Sequence, residues 1–365
     1  MATKRIRSIA VMTGGGDCPG LNAVIRAVVK TAINKHKLDV WGIQDGYLGL
    51  IEHRIDRLDY NDVSNILTLG GTILGTSNIA NPFRYAYKTG RGLQYKDVSN
   101  DCIQALQERE IDALVCIGGD GTMATAAAFA KKGLTVMGVP KTIDNDLYGT
   151  DVTFGFDTAV TTATEAIDKV HTTASSHHRV MIVEVMGRYA GWIALHAGVA
   201  GGADVILIPE IPYELPKICD YVLARSNRGK RFSIICAAEG AKPKGGSMVV
   251  SHRVASSPDP IRLGGIGNKL AADISDKTGL DCRAVVLGHV QRGGTPTPYD
   301  RTLATNFGNT AMELLMKGVK NHLVVLKDGQ FTSISLRQVA GRTKTVPANS
   351  GLVRAAKAVG TSFGV

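Results

Sequence analysis

The feature that most constrains this chain is a unit that occurs twice in its first half: a short apolar run, a glycine-rich turn, then apolar residues at helical spacing. Residues 6–12 (IRSIAVM) read as a buried strand, 13–20 (TGGGDCPG) as the turn and 21–33 as the helix. The unit returns as residues 113–117 (ALVCI), 118–121 and 122–131, whose alanines suit close helix packing. Further apolar runs at 136–139, 180–185, 205–208, 233–237 and 284–287 read as buried parallel strands alternating with helices. At 365 residues the chain exceeds the usual single-core size, so the expected fold is α/β with two lobes. Each lobe is a largely parallel sheet flanked by helices, and the active site is expected in the cleft between them. Residues 242–260, rich in Gly, Ser and Pro, read as a long surface loop. After about Gln330 the chain turns polar and poor in motifs, which reads as a carboxy-terminal extension.

The formal charge of +10 suits an anionic partner, but the 42 Lys and Arg are spread along the chain with no run of five and only two Trp accompany them. That distribution disfavours a nucleic-acid surface and fits phosphate ligands held by individual arginines. Six cysteines lie far apart, with no C-x-x-C pair and no zinc spacing, so reduced thiols are expected. The amino terminus has only a short apolar segment broken by glycines, and no stretch of 18 apolar residues follows. No membrane partner is expected, and the expected location is cytoplasmic.

The chemistry lies in the loops. In TGGGDCPGLN, glycines between strand and helix let backbone N–H groups approach a phosphate at a helix amino terminus, although most such turns merely redirect the chain. The spacing is neither that of a P-loop nor that of a dinucleotide fingerprint. In GGDGT, residues 118–122, Asp120 between glycines can reach a magnesium ion that bridges nucleotide phosphates, or simply stabilise a tight turn. In VPKTIDNDL, residues 139–147, Asp144 and Asp146 lie two apart in an extended or turning segment. One could deprotonate a hydroxyl while the other helps hold the metal; the bland alternative is an Asx-turn with solvated carboxylates. Arg179 and Arg188 flank one strand as if to grip two phosphates, and Arg283, His289 and Arg292 repeat the device.

The segments GGGDCPGLNAVIR, GGDGT, PKTIDND, FGFDTAV, SSHHR, VEVMGRYAGW, GGAD, LGHVQRGG and TPYDR, in that order between about residues 6 and 310, resemble the 6-phosphofructokinase family. The resemblance implies a phosphotransferase that moves the γ-phosphoryl of ATP to the 1-hydroxyl of fructose 6-phosphate with Mg2+, giving fructose 1,6-bisphosphate and ADP in glycolysis. It implies Asp144 as general base, Thr142 and Arg188 as contacts to the transferred phosphoryl, and Asp120 and Asp146 as the carboxylates that organise the metal. Gly15, Gly16, Asn78, Gly119, Asp120, Gly121 and Thr122 match the ATP site. Thr142, Ile143, Asp144, Met186, Gly187, Arg188 and Glu239 match the sugar site, with Val290 and Gln291 beside it. Arg179, Arg283, His289 and Arg292 match a 6-phosphate clamp whose first two members come from a neighbouring subunit, so a homodimer or homotetramer with shared sites is implied. The implied division is a nucleotide lobe at 1–155, a sugar-phosphate lobe at 156–290, and a return segment with the extension at 291–365.

Two positions bear on the donor. Gly121 is the ATP-type residue, where pyrophosphate-dependent relatives carry an obstructing aspartate, whereas Lys141 is of the pyrophosphate type. The pairing of GGDGT with PKT resembles the mixed-substrate branch, and Gly121 weighs more because an aspartate there would exclude ATP directly. Asn78 stands where common bacterial ATP enzymes have a phosphate-binding arginine. At the family's effector site Arg26 and Lys230 match and Lys30 is conservative, but Asp204 replaces a glutamate and His171 an arginine, which puts effector control in doubt. A pyrophosphate-dependent enzyme is the nearer alternative. A non-catalytic nucleotide-sensing subunit is the distant one, since it would have no need of all three aspartates.

Overall fold

The computed structural model describes residues 6–90, 92–254, 257 and 259–365. The first five residues and three residues of the expected 242–260 loop thus lie outside the described part. In chain order the first half holds β1 (Ser8–Thr13), α1 (Leu21–His36), β2 (Asp39–Ile43), α2 (Tyr47–Ile51), β3 (Ile55–Leu58), β4 (Tyr85–Thr89), β5 (Gly92–Lys96), α3 (Ser99–Glu108), β6 (Ala113–Gly118), α4 (Asp120–Lys131) and β7 (Val136–Pro140). The middle holds α5 (Phe156–His177), β8 (Val180–Val185), α6 (Trp192–Ala200), β9 (Val205–Leu207), α7 (Leu215–Asn227), β10 (Ser233–Ala238), β11 (Val250–Arg253), β12 (Ile261–Leu263), α8 (Ile266–Thr278) and β13 (Cys282–Val286). The chain closes with α9 (Pro298–Met316), β14 (His322–Lys327), β15 (Gln330–Ser335), α10 (Leu336–Val339) and α11 (Gly351–Ala358).

Two sheets organise these elements. The larger runs β15-β14-β7-β6-β1-β2-β3, with five parallel inner strands and antiparallel strands at both edges. The smaller, β13-β8-β10-β9, is parallel throughout. Parallel strands covered on both faces must be apolar on both, which is why β1, β6 and β7 are buried at every position. One apolar core runs through both sheets, joining Val11, Val115 and Ile117 of the first to Val183, Val185 and Ile234 of the second. α5 lies in that core by a single face, with Ala159, Ala163, Ile167, Val170 and Ala174 buried at steps of three or four residues. Ile167 and Val170 each contribute about 1.5–3 kcal/mol by this burial, and each alanine less.

Burial and charge are reconciled at β8, whose one carboxylate, Glu184, is 2% exposed. It accepts the N–H groups of Gly265 at 2.9 Å and Gly267 at 2.7 Å, so the start of α8 neutralises it. This contact pins the root of the β11–β12 ribbon, whose first strand takes up only Val250–Arg253 of the loop expected at 242–260. The polar carboxy terminus is no appendage. β15 is an edge strand of the large sheet, and Ser362 bridges to Val205 at the edge of the small one. Among the described residues no helix is long and apolar enough to cross a membrane.

Candidate active site

The two glycine turns meet at the carboxyl ends of β1 and β6, where parallel strands leave a crevice. The Gly14 N–H bonds to the Ile117 carbonyl at 2.9 Å and the Gly15 N–H to that of Ser77 at 3.1 Å. A methyl on Gly14 would sit 2.7 Å from the Thr122 hydroxyl, so the turns are packed closer than a side chain permits. Gly121, in the first turn of α4, differs: among the described residues nothing lies within 4 Å of where its Cβ would be. Asp120 is in the same turn, and Asn78, next to Ser77, is exposed.

The segment after β7 folds into this crevice with Lys141 3%, Asp144 3% and Asp146 7% exposed. The Lys141 ammonium donates to the Gly16 carbonyl. Burial pulls it below its ordinary range; nearby Arg292 works the same way, while Cys18, Asp144 and Asp17 work against it. The Asp144 N–H donates to the Thr142 hydroxyl at 3.1 Å, yet the buried Asp144 Oδ1 has no hydrogen-bond partner among the described residues. Burial, reinforced by Asp144 and Asp120, pushes the Asp146 carboxyl up to about 7, with Arg188 pulling the other way. Asn145 between the two aspartates has φ 51°, so the pair sits on a left-handed turn rather than in the extended run that would give them a common face by alternation. Ile143 is fully buried in the core, which leaves only its main chain for a ligand.

Arg188 spans the crevice from the other side. Its N–H donates to Glu239 at 2.9 Å, and its guanidinium pairs with Asp259 of the ribbon and comes within 4.0 Å of Asp120. Burial pushes the Glu239 carboxyl up to about 7, with the Arg188 N–H opposing. Gln291, also expected at the sugar site, is buried and donates to the Gly288 carbonyl at 3.1 Å, while its Oε1 accepts the Met186 N–H at 3.4 Å; it holds the Met186–Gly187 turn rather than facing the crevice. Arg292 donates to the Asp17 carbonyl at 3.1 Å and thereby reaches the first glycine turn, whereas His289 and Val290 lie outside the core.

Arg179 and Arg283 are not part of this constellation within one chain. Both pair with Asp281, at 2.6 and 3.1 Å. They lie at the opposite end of β8 from Arg188, and six residues of strand are about 20 Å long. The flanking pair noted in the sequence therefore serves two separate places. Near the expected effector position, Asp204 is already taken by Arg225 at 2.7 Å and by the Ile234 N–H at 2.9 Å.

The profile of the family described as Phosphofructokinase matches residues 8–315. The chain belongs to the phosphofructokinase family. Over 363 residues it is 54% identical to a Clostridium perfringens protein named ATP-dependent 6-phosphofructokinase 2, covering 98% of both chains. It is 49% identical over 340 residues to an Amycolatopsis mediterranei protein named pyrophosphate–fructose 6-phosphate 1-phosphotransferase, 93% of this chain and 96% of that one. Among solved structures, phosphofructokinase from Saccharomyces cerevisiae superposes with a TM-score of 0.78 at 30% identity, over 98% of this chain and 46% of the yeast chain.

Three residues of this family member escaped sequence reasoning. Asp259 sits in what read as surface loop, and only the ribbon's return brings it to Arg188. Asn145 was in view between the aspartates, but its left-handed backbone has no sequence signal beyond being an asparagine. Lys344 lies in the motif-poor tail, yet its ammonium donates to Asn145 Oδ1 at 3.0 Å and to the Thr150 and Asp151 carbonyls at 2.9 Å each.

Proposed function

We propose that this phosphofructokinase transfers the γ-phosphoryl of ATP to the 1-hydroxyl of fructose 6-phosphate, with Asp144 as general base. The observation that carries the reading is Asp144 Oδ1, a buried carboxylate oxygen without a hydrogen-bond partner among the described residues, on the segment whose Lys141 reaches the first glycine turn. A phosphoryl transfer needs little covalent help from a protein; positioning and charge neutralisation do most of the work. Asp144 takes the proton of the attacking hydroxyl. Thr142 accepts the Asp144 N–H, which leaves its own proton for an oxygen of the moving phosphoryl. Arg188 offers its guanidinium to the same group. Met186, Gly187 and Glu239 hold the sugar, and His289 and Arg292 hold the 6-phosphate.

Magnesium fits the donor set. Burial, with Asp144 and Asp120 adding to it, pushes the Asp146 carboxyl up to about 7, a crowding of negative charge that a cation relieves. Among the described residues no three ligating side chains form a closed cage. Magnesium does not require one, because it is held by one or two carboxylates together with substrate phosphates. Asp120 and Asp146 are the residues that would hold it, and when bound it neutralises phosphate charge as the bond shifts. Arg179 and Arg283 complete the 6-phosphate clamp of a second copy, which makes the active enzyme a homo-oligomer.

ATP is the donor on the strength of Gly121: the open space in front of its Cα admits a nucleotide's phosphates, and an aspartate there would add a further negative charge to the carboxylates already crowding the site. Pyrophosphate is the second reading, favoured by Lys141. Among the described residues its buried ammonium has one carbonyl acceptor, so two donors are left for phosphate oxygens. Initial rates with each donor alone separate the two readings.

A further inference from the structure

The turn that carries Asp144 and Asp146 needs holding. A non-glycine residue in the left-handed region is strained and persists only where its surroundings over-determine it. Asn145 is that residue, and its side chain is the handle: Oδ1 accepts the Thr153 N–H at 3.2 Å and the Lys344 ammonium at 3.0 Å. Lys344 spends its two other donors on the Thr150 and Asp151 carbonyls, so all three are used on one stretch of chain. Its backbone N–H also donates to the Asp146 carbonyl at 2.6 Å, and the preceding Thr343 bridges to Leu147. None of the acceptors of its ammonium among the described residues is a carboxylate oxygen, so its hydrogen bonds reach Asp144 and Asp146 through the backbone and through Asn145, with its charge also attracting Asp146 at longer range.

The same residue reaches the other sheet. The Lys344 carbonyl accepts the Trp192 indole N–H at 3.0 Å, at the start of α6. Two residues on, the Val346 N–H donates to Glu210 at 2.8 Å, and Glu210 also takes the Gly191 N–H at 3.0 Å, one residue before α6. A segment beyond the family profile thus bridges the carboxylate turn to the helix that follows Arg188.

We propose that Lys344 is a positioning residue for phosphoryl transfer: through Asn145 it fixes where Asp144 and Asp146 stand, and through its carbonyl it ties that placement to the half of the molecule carrying Arg188. The inference rests on the reading of Asp144 as base. Misplacing a catalytic group by about 1 Å can cost on the order of 100-fold in rate, while ligands held elsewhere bind as before. Lys344→Met should therefore lower kcat by roughly 10- to 100-fold, with KM for fructose 6-phosphate and for the donor little changed.

The test is a kinetic cycle of Lys344→Met, Asn145→Ala and the double variant, with Asn145→Gly and Asp144→Ala alongside. Because both residues hold one turn, the double variant should be no slower than the slower single one; losses that multiply would overturn the proposal. Asn145→Gly keeps a backbone at ease in the left-handed region but removes the handle, so a kcat loss without a lower melting temperature supports the inference even where Lys344→Met folds poorly. Wild-type kcat in Asn145→Gly or in folded Lys344→Met refutes it. Asp144→Ala separates the two layers: an inactive Asp144→Ala beside a fully active Lys344→Met sinks the positioning role alone, and an active Asp144→Ala sinks the reading beneath it.

Discussion

Replacing Glu239 with glutamine should make the protein more stable at pH 8 and leave it nearly unchanged at pH 5. Glu239 is half-buried, and the loss of water around its carboxyl pushes it from 4.5 up to about 7. The folded chain therefore keeps a proton that the unfolded chain gives up. Where the native state binds the extra proton, stability falls as pH rises. The loss begins near 4.5, accumulates to about 7 and is complete above it. A tenfold change in proton affinity is worth about 1.4 kcal/mol, so the rise from 4.5 to about 7 destabilises the charged state by about 3 kcal/mol. Glutamine carries no proton to lose, and its carbonyl still accepts the Arg188 N–H. Thermal melts of parent and variant at both pH values, without substrate, measure the effect. The variant should gain several degrees at pH 8 and little at pH 5. An equal difference at both pH values would mean that Glu239 is not held in a desolvated site, and the electrostatics assigned to this side of the crevice would fail.

Three further outcomes are expected. Asp144→Ala should lose about 100- to 10,000-fold in kcat while still binding fructose 6-phosphate by calorimetry, and near-normal turnover would remove it as the base. Gly121→Asp should lower kcat/KM for ATP by about two to three powers of ten, since like-charge juxtaposition costs several kcal/mol, and should leave pyrophosphate use far less affected; equal losses with both donors would show that position 121 does not select between them. Mixing subunits of inactive Asp144→Ala with inactive Arg179→Ala, after partial unfolding and reassembly, should restore activity if each site draws Arg179 from a second copy, whereas no recovery in confirmed mixed oligomers would mean that sites are not shared.

The parallel strands were legible because burial on both faces leaves a continuous apolar run; β8 falls at 180–185 as read, and β1, β6 and β7 differ by a residue or two at their ends. The glycine turns were legible because close approach admits no side chain, as the Thr122 hydroxyl against Gly14 shows. What escaped depends on contacts far apart in the chain. Asp259 meets Arg188 across 71 residues and Lys344 meets Asn145 across 199, and neither leaves a local pattern. Arg179 and Arg188 flank β8 at opposite ends, so residues close in the chain stand a strand's length apart.

On the proposed reading, Gly121 admits ATP to a site where Asp144 activates the sugar hydroxyl. The most direct measurement is the initial rate of fructose 1,6-bisphosphate formation from fructose 6-phosphate and magnesium, with ATP or pyrophosphate as sole donor. Turnover with ATP and little or none with pyrophosphate is the predicted result, leaving Lys141 as a phosphate contact that either donor could use. Turnover with pyrophosphate alone would contradict the account and make Lys141, not Gly121, the residue that sets the donor.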